Sequence, residues 1–485
     1  MKGSGEQGLR IGIILGVFMW VLCLGTAYAQ TSSDTDTSQP IQLDKTKTDA
    51  TADNAPASTS GAFYMFDHSK PSKFWISVQS NSIFQYHPAF HSPYSGPNSF
   101  VATPESKVSV VDSLYLGYQL IHSTNAFFTL ERFDGSGLSK GLGMAGLPDL
   151  DVVRNPSLGG QFYIARLGLH TVIPLSQKMI TVDRSPTQLL DKLPEKRLEI
   201  SAGKFSAVDY LNYNAVGSDV HKQFMNWDMD NDVTYDFPAD TRGYTVGAAI
   251  EYKSPNWEAR FLEAMMPIHA NGQSLDWDLL RNHSETYELV RHYQLFHRRP
   301  GTIRLLAFDN HANMGNYQQA INDYAAGLTS TPNIVLTEKP GREKYGFGLN
   351  LEQEIKEGLT LFSRLGWNDG HSESFTYTEA NNTVVLGAAL QGKRWHRPND
   401  KIGLAVATDG LSSSHKEYLA LGGLGFELGD GALNYGRENL IEMYYSCHVW
   451  KGVYAGPDFQ FVKNPGYNRD RGPVPIISFR LHVDF

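Results

Sequence analysis

The last nine residues of the chain alternate between apolar and polar side chains. The odd positions from 477 to 485 are apolar and the even positions are polar, which sets Ile477, Phe479, Leu481, Val483 and Phe485 against Ser478, Arg480, His482 and Asp484. Successive side chains of a β-strand point to opposite faces, whereas helical spacing would mix the two sets around the axis. The pattern therefore predicts a strand with one apolar and one polar face.

The same alternation recurs from position 74 onward, for example over residues 244–252, 345–352 and 359–367. Tyr and Trp stand at the ends of several apolar rows, as in the aromatic girdles of barrels that span membranes. Applied to the whole chain, the pattern predicts 16 strands, at residues 74–84, 107–120, 126–132, 161–173, 197–205, 241–252, 256–264, 285–297, 301–310, 343–354, 358–368, 382–392, 400–409, 437–449, 452–462 and 474–485. A single-chain bacterial barrel has an even number of strands, and one of 16–18 strands is wide enough to leave an aqueous channel.

We therefore expect an all-β fold, a transmembrane antiparallel β-barrel of about 16 strands with long, partly helical loops folded into or over the lumen. Residues 317–324 have helical spacing, and residues 206–240, rich in Asn, Asp and aromatic side chains, are the best candidate for an inward loop. The alternative is a soluble β-sandwich or propeller, whose strands also alternate. The two differ in whether the apolar rows face lipid or pack against each other in a core.

The N-terminus has the features of a secretory signal peptide. The basic residues Lys2 and Arg10 precede a short apolar run from Ile11 to Leu24. Ala27-Tyr28-Ala29 is a small-x-small cleavage site, so we expect cleavage after Ala29. Cys23 leaves a lipoprotein as the alternative, against which the bulky residue before it argues.

Three segments are expected: a signal peptide at 1–29, a disordered polar linker at 30–62 and the barrel at 63–485. The linker is rich in Thr, Ser, Asp, Ala and Pro and cannot bury enough apolar surface to order itself. Beyond the signal, no stretch approaches 18 uncharged apolar residues, which excludes a helical membrane protein. After residue 29 the chain has 40 basic and 50 acidic residues, a net charge of −10 without a basic run, which speaks against a nucleic-acid partner. Its one cysteine, Cys447, can form no internal disulfide.

Two stretches resemble a known family. One runs through residues 203–206 and 223–227 to 236–245, and the other is the segment 464–475 before the last strand. Both resemble the carbohydrate-selective porins of the OprB type from Gram-negative bacteria. The resemblance implies 16 strands in the outer membrane and passive diffusion of mono- and short oligosaccharides into the periplasm. Asp228 stands where the family has a small apolar residue, and Tyr235 where it has Trp, and these departures bear on cargo preference more than on the fold.

Two other functions are alternatives to a carbohydrate porin: a general or organic-acid porin and, from another class, a secreted β-rich carbohydrate-binding protein. The strand that ends at Phe485 resembles the last strand of bacterial outer-membrane barrels, which implies recognition by the barrel-assembly machinery. Small carbohydrate solutes and outer-membrane lipid are the other expected partners. The sequence has no His-Glu-x-x-His zinc motif and its histidines are scattered singly, so we expect no enzyme activity, no cofactor and no metal.

The candidate pore-lining and substrate-passage residues lie in the predicted polar rows and in the inward loop. Sugars carry hydroxyls on rings with apolar faces, so a selective pore needs fixed donors, acceptors and aromatic platforms. Arg provides a rigid fork of donors, and an Arg that faces lipid at the midplane costs about 2–4 kcal/mol, so most of these charges should point inward. The set is Glu131, Arg132, Arg166, Asp209, Asn226, Trp227, Asp240, Arg242, Glu258, Arg260, Arg304 and Arg364.

These candidates also have a purely structural interpretation. A wall charge can simply pair with its neighbour, and residues 226–227 and 240–242 can pin the inward loop to the wall.

Overall fold

The computed structural model describes Tyr64, His68 and residues 72–154 and 156–485. In this part of the chain 16 strands form one closed antiparallel barrel. Each strand pairs with the barrel strands that come before and after it in the chain, and the last strand pairs with the first. The barrel strands are β1 (Phe74–His87), β2 (Glu105–Ile121), β3 (Thr124–Gly135), β4 (Phe162–Pro174), β7 (Arg197–Phe205), β8 (Thr245–Lys253), β9 (Trp257–Met265), β10 (His283–Leu295), β11 (Arg299–Met314), β12 (Lys339–Lys356), β13 (Leu359–Asn368), β14 (Asn382–Gln391), β15 (Lys401–Gly410), β16 (Glu438–Trp450), β17 (Val453–Lys463) and β18 (Val474–Asp484).

The remaining elements lie in the connections. Two short strands, β5 (Met179–Thr181) and β6 (Lys192–Pro194), pair with each other outside the barrel sheet. The helices are α1 (Trp227–Asp230), α2 (Tyr317–Ala325) and α3 (Ser413–Ala420). Single 3-10 turns occur at Leu138–Lys140, Pro156–Leu158, Ala207–Asp209, Val335–Thr337, Gly392–Trp395 and Pro465–Tyr467.

The alternation in the sequence predicted this architecture correctly. Each of the 16 predicted strands corresponds to one barrel strand, with ends that differ by a few residues, and the helical spacing at 317–324 corresponds to α2. The β5–β6 hairpin was not predicted, because three-residue strands are too short to show a period. The expected boundaries at residues 29 and 62 lie outside the described residues and remain predictions.

The barrel closes between its first and last strands. Residues of β1 and β18 pair in register from Gln79–Asp484 to Tyr86–Ile477. The side chains that alternate inward along this seam also bond, since Gln85 donates to the Ser478 hydroxyl at 3.1 Å. The alternating terminal segment is therefore the strand that seals the cylinder.

The outward rows are apolar and exposed. Phe347, Leu386 and Phe479 each expose more than half of their surface, whereas their neighbours Val385, Ser478 and Arg480 are buried. The apolar rows thus do not pack against a second sheet, which excludes the soluble sandwich or propeller. Among the described residues, no helix has the length and apolar character needed to span a bilayer.

The two ends of the barrel differ in their connections. At one end most connections are short, such as residues 122–123, 254–256 and 451–452, and we call it the turn end. At the other, the loop end, the connections are long and include 136–161, 206–244 and 411–437. The connection 175–196 between β4 and β7 is an exception, because it is long but lies at the turn end. Long connections were expected at the loop end or inside the lumen.

Candidate functional site

The connection between β7 and β8, residues 206–244, folds into the lumen, and we call it the inward loop. Its Met229, Val233 and Tyr235 are buried in one apolar cluster with Leu306 and Phe362 of the wall. The sequence pointed to this segment through its polar and aromatic composition. Its burial shows that it fills a large part of the bore rather than lying over it.

Arg364 of β13 fixes the first half of the inward loop. Its guanidinium donates to the Asn212 carbonyl at 3.0 Å, to the Ser218 hydroxyl at 2.8 Å and to the Asp230 carbonyl at 2.7 Å. Carbonyl groups of a loop have no ladder partner, so a fork of donors from the wall satisfies several of them at once. Five strands further around the wall, Arg480 of β18 donates to the Gln223 carbonyl at 2.8 Å.

Asp236 fixes the second half of the loop through a buried ion pair. Lys344 Nζ lies 3.0 Å from Asp236 Oδ2, and the backbone N–H groups of Phe375 and Thr376 donate to the same carboxylate at 2.9 and 2.8 Å. Burial opposes ionisation of Asp236, but Lys344 and the backbone donors outweigh it, so the pKa of Asp236 lies below its ordinary value. The carboxylate is therefore ionised and joins three segments of the chain.

Asn226 holds the middle of the loop. It caps α1 by accepting the Asp228 N–H, and its amide donates to the Gly146 carbonyl and to Gln460 Oε1, both at 2.9 Å. A Cβ at Gly146 would lie 2.2 Å from an Asp228 carboxylate oxygen, so the two loops pack closely here because residue 146 has no side chain. Burial, followed by the nearby Asp409, raises the pKa of Asp228 well above its ordinary value.

A cavity of about 260 Å³ remains between the inward loop and the wall on the loop-end side, and we call it the loop-end cavity. Its lining combines aromatic rings with charges of both signs. The aromatic residues are Tyr115, Phe133, Tyr163, Trp227, Phe237, Tyr244, Tyr377 and Phe426, and the charged or ionisable ones are Glu131, Asp151, Arg154, Arg166, His221, Asp240 and Arg242.

The lining side chains hold one another in place. The Arg242 guanidinium lies 4.3 Å from the centre of the Tyr163 ring, and the Tyr163 hydroxyl donates to Glu131. The Tyr244 hydroxyl donates to the same carboxylate at 2.9 Å. Trp227 stacks on Tyr377 with ring centres 4.8 Å apart. The result is a set of rigid aromatic faces beside fixed acceptors and donors, which suits a solute with both hydroxyls and apolar faces.

A second cavity of about 310 Å³ lies on the turn-end side, and we call it the turn-end cavity. Gln79, Tyr115 and Arg166 line both cavities, so one layer of side chains separates them. Arg166 is held by Asp209 of the inward loop through two bonds, Nε to Oδ2 at 2.8 Å and Nη2 to Oδ1 at 2.6 Å. Gln79 donates to the Tyr115 hydroxyl at 2.6 Å. This layer therefore divides the loop-end cavity from the turn-end cavity.

The structure separates the predicted site residues into three groups. Glu131, Arg166, Trp227, Asp240 and Arg242 line the loop-end cavity, and Asp209 lines the turn-end cavity. A second group is buried inside the barrel: Asn226, Glu258, Arg260, Arg304 and Arg364. Asn226 donates to Gln460 of the wall, Arg260 pairs with Glu258 and donates to the inward loop, Arg304 pairs with Glu352, and Arg364 donates to the inward loop.

Arg132 forms the third group, because it does not point into the lumen. Its neighbour Glu131 lines the loop-end cavity, and adjacent residues of a strand point to opposite faces, so Arg132 faces outward. There it pairs with Asp134 and, at 3.4 Å, with Asp112. The prediction that Arg132 lines the pore is therefore wrong, because the alternation of β3 places it on the face opposite Glu131.

Sequence reasoning missed several lining residues, above all Tyr163, Tyr244 and Tyr377 and the loop residues Asp151 and Arg154. Tyr163 and Tyr244 stand at strand ends, where an aromatic residue also fits a membrane girdle. Asp151 and Arg154 belong to the connection 136–161, whose fold back over the lumen has no periodic signal. Composition gave no signal either, because only four of the 26 residues of this loop are charged, Lys140, Asp149, Asp151 and Arg154.

One sequence motif has a catalytic interpretation that the structure does not favour. Residues 137–141 read Gly-Leu-Ser-Lys-Gly, the pattern of a hydrolase nucleophile elbow. Ser139 is 5% exposed, its hydroxyl donates to Glu105 at 3.2 Å, and it accepts the Val101 N–H at 2.8 Å. The hydroxyl is thus covered and bonded within the loop, and not presented to a substrate.

Comparisons with known proteins address the same region. The sequence profile of the family described as "Carbohydrate-selective porin, OprB family" matches residues 160–485. Comparison with curated protein sequences finds no match.

Solved structures give a similar picture. A high-pH structure of Pseudomonas putida OprB is 15% identical, with a TM-score of 0.65 over 85% of this chain and 94% of that chain. A low-pH structure of the same protein has 11% identity and a TM-score of 0.45, over 85% and 93% of the two chains. The outer membrane channel DcaP of Acinetobacter baumannii has 10% identity and a TM-score of 0.46, over 85% and 97%. At 15% identity, the similarity to the high-pH structure shows that the two proteins share the barrel fold.

Proposed function

The chain belongs to the carbohydrate-selective porin family of the OprB type, an outer-membrane channel for sugars, and on that premise we propose the route by which sugars cross it. A sugar enters at the loop end, occupies the loop-end cavity, passes the layer of Gln79, Tyr115 and Arg166, and leaves through the turn-end cavity. Because outer-membrane barrels have long extracellular loops and short periplasmic turns, this direction leads into the periplasm.

The observation that carries this proposal is the lining of the loop-end cavity. Rigid rings such as Tyr163, Trp227 and Tyr377 offer platforms for the apolar faces of a pyranose, and Glu131 and Arg242 offer an acceptor and donors for its hydroxyls. A pore must also release its solute, so weak contacts distributed over several side chains serve transport better than one tight site.

The charges of the cavity favour neutral solutes. Three carboxylates, Glu131, Asp151 and Asp240, face three guanidinium groups, Arg154, Arg166 and Arg242. An arrangement of paired charges orients hydroxyl groups but gives an anion no uncompensated positive field. We therefore propose that neutral mono- and short oligosaccharides pass more readily than organic acids.

Export and assembly are part of the same proposal. We propose cleavage of a signal peptide after Ala29, a polar linker over residues 30–62, and recognition of the strand ending at Phe485 by the barrel-assembly machinery. The exposed apolar rows are the surface for outer-membrane lipid. The protein is a channel, and we propose that it has no catalytic activity, no cofactor and no metal.

Liposome swelling tests the transport function. Vesicles with the purified protein should swell faster in isotonic glucose than empty vesicles and faster than in the sodium salt of gluconate. Equal rates for vesicles with and without the protein would refute sugar transport. A clear preference for gluconate would replace the neutral-sugar proposal by an organic-acid porin. Heat-modifiable migration on gels confirms in each preparation that the barrel is folded.

A further inference from the structure

Part of the turn end of the barrel, beside β1, β2 and β4, is covered by a segment of the chain itself. The segment 182–190, which we call the lid, connects β5 to β6 and folds back against the lumen wall, so that Gln188 and Leu189 are buried. A Cβ at Gly117 of β2 would lie 2.5 Å from the Pro186 carbonyl oxygen, so the lid can pack this closely against the wall because residue 117 is glycine. The lid is therefore fitted to this barrel.

Arg184 anchors the lid. It donates to the Leu189 carbonyl at 2.8 Å within the lid and to the Ser72 carbonyl at 2.6 Å beside the start of β1. Its guanidinium also lies 5.8 Å from the centre of the Trp75 ring. These contacts tie the lid to the start of β1, and the turn-end cavity lies between the lid and the layer that contains Arg166.

The walls of this cavity are polar groups held in fixed positions. His170 Nδ1 lies 3.0 Å from the Ser201 hydroxyl, and His170 Nε2 lies 3.3 Å from Gln188 Nε2 of the lid. Lys253 Nζ lies 3.0 Å from Glu199 Oε2 and 3.3 Å from Glu251 Oε2. Donors and acceptors of this kind, each already oriented by a neighbour, can exchange hydrogen bonds with hydroxyl groups at little cost in ordering.

The lining also defines the class of solute. Three cations, Arg166, Arg197 and Lys253, are matched by four carboxylates, Asp209, Glu199, Glu251 and Asp484. Asp484 has its own partner in Lys222, whose Nζ lies 2.5 Å from Asp484 Oδ2, so the charges balance and give an anion no uncompensated positive field. The rings of Tyr115 and Tyr210 provide apolar faces beside the charges. A neutral ring bearing hydroxyls matches all three properties.

We propose that the turn-end cavity is a second sugar-binding subsite, in series with the loop-end cavity and closed on the periplasmic side by the lid. The inference rests on the proposed function and adds to it a second site, which a solute coming from the periplasmic side meets first. Gln188 is a specificity residue of this subsite, because its amide faces the cavity from the lid and is oriented by the Leu190 N–H at 2.9 Å.

Single-channel recording with glucose added to one side at a time tests the inference, using Gln188→Ala for the turn-end cavity and Arg242→Ala for the loop-end cavity. We expect Gln188→Ala to shorten the current blocks caused by glucose from the turn-end side by at least threefold and to leave blocks from the loop-end side unchanged. Arg242→Ala should have the opposite effect. Gln177→Ala is the matched control, since Gln177 lies on the same connection but outside the turn-end cavity.

Each result has a defined consequence. If Arg242→Ala alters the blocks from both sides and Gln188→Ala alters neither, there is one sugar site and the second subsite is refuted while the transport function stands. If Gln188→Ala only raises ion conductance, the lid is a steric cover and the subsite is again refuted. Absence of both glucose block and glucose uptake in the unaltered protein would instead refute the proposed function. If Gln188→Ala does not fold, as judged by heat-modifiable migration, His170→Gln takes its place.

Discussion

Lys344 and Asp236 form an ion pair in which both side chains are buried, with Nζ 3.0 Å from Oδ2. The pair joins the wall strand β12 to the inward loop, and the same carboxylate accepts backbone N–H groups from Phe375 and Thr376. Removing one partner of a buried pair costs about 3–5 kcal/mol, since the other charge remains without compensation. The position of the inward loop therefore depends on this contact.

We predict that Asp236→Asn releases the second half of the inward loop. The expected result is a higher open-channel conductance and a lower unfolding temperature, measured in planar bilayers and by thermal denaturation in detergent. Glu357→Gln is the control, because Glu357 pairs with Lys393 at the exposed surface, where an ion pair adds little stability. An unchanged conductance in Asp236→Asn would show that the remaining contacts hold the loop by themselves.

The same pair predicts an acid-sensitive channel. Because the pKa of Asp236 lies below its ordinary value, its contribution to stability is complete above the unfolded-state pKa of about 4 and is lost as the pH falls through the folded-state pKa. Conductance should rise, and the unfolding temperature should fall, only below about pH 4. In Asp236→Asn this part of the pH profile should be flatter.

Asp149 predicts the opposite dependence. Burial, followed by the neighbouring Asp151, raises the pKa of Asp149 to about 7. A raised carboxyl pKa stabilises the protein at low pH, and the contribution is lost as the pH rises from about 4 towards 7. Asp149→Asn keeps a neutral side chain at all pH values, so its unfolding temperature should fall less than that of the unaltered protein between pH 4 and pH 7. Parallel curves for the two proteins would contradict this assignment.

Arg242→Ala tests the loop-end cavity in transport. The guanidinium lies over the Tyr163 ring and offers donors to a solute in the cavity; the loss of one net hydrogen bond of about 0.5–1.5 kcal/mol should lower glucose affinity by about twofold to twelvefold. Liposome swelling and glucose-dependent current block both measure it. Arg132→Ala is the matched control, because Arg132 faces outward and should leave glucose uptake unchanged. A similar loss in both variants would show a general effect on the barrel.

Phe485→Ala tests the assembly proposal. The Phe485 N–H donates to the Val78 carbonyl at 2.7 Å, a backbone bond that alanine retains, so the folded barrel should lose little stability. If the barrel-assembly machinery recognises the aromatic side chain, the amount of folded protein in the outer membrane should fall severalfold. Phe485→Tyr should restore it. Normal levels of the alanine variant would refute recognition through this residue.

The fold could be predicted from the sequence because the period of two is local. Each strand reports its own two faces, as the segment 477–485 does, and no long-range information is needed to count strands. The site could be predicted only in part. Arg166 and Arg364 were both correctly expected to point inward, but whether an inward side chain meets solute or is covered by a loop depends on contacts between distant parts of the chain.

Arg132 is a different case, because the alternation along its own strand is enough to determine which face it occupies. Glu131 and Arg132 are neighbours on one strand, so only one of them can face the lumen. The lid was missed for a third reason. Its position depends on Gly117, more than 60 residues earlier, and a single glycine in a strand gives no hint of what rests against it.

The anchors of the inward loop lie around the circumference of the barrel, with Arg480 on β18, Arg364 on β13, Lys344 on β12 and Arg260 on β9. Each anchor connects the wall to the same loop inside the barrel, so the loop links these strands to one another through the lumen. An unbraced cylinder of strands can be squeezed into an ellipse by tension in the surrounding bilayer, but here any flattening would have to stretch several buried bonds at once. The bore should therefore keep its shape in membranes of different thickness and tension.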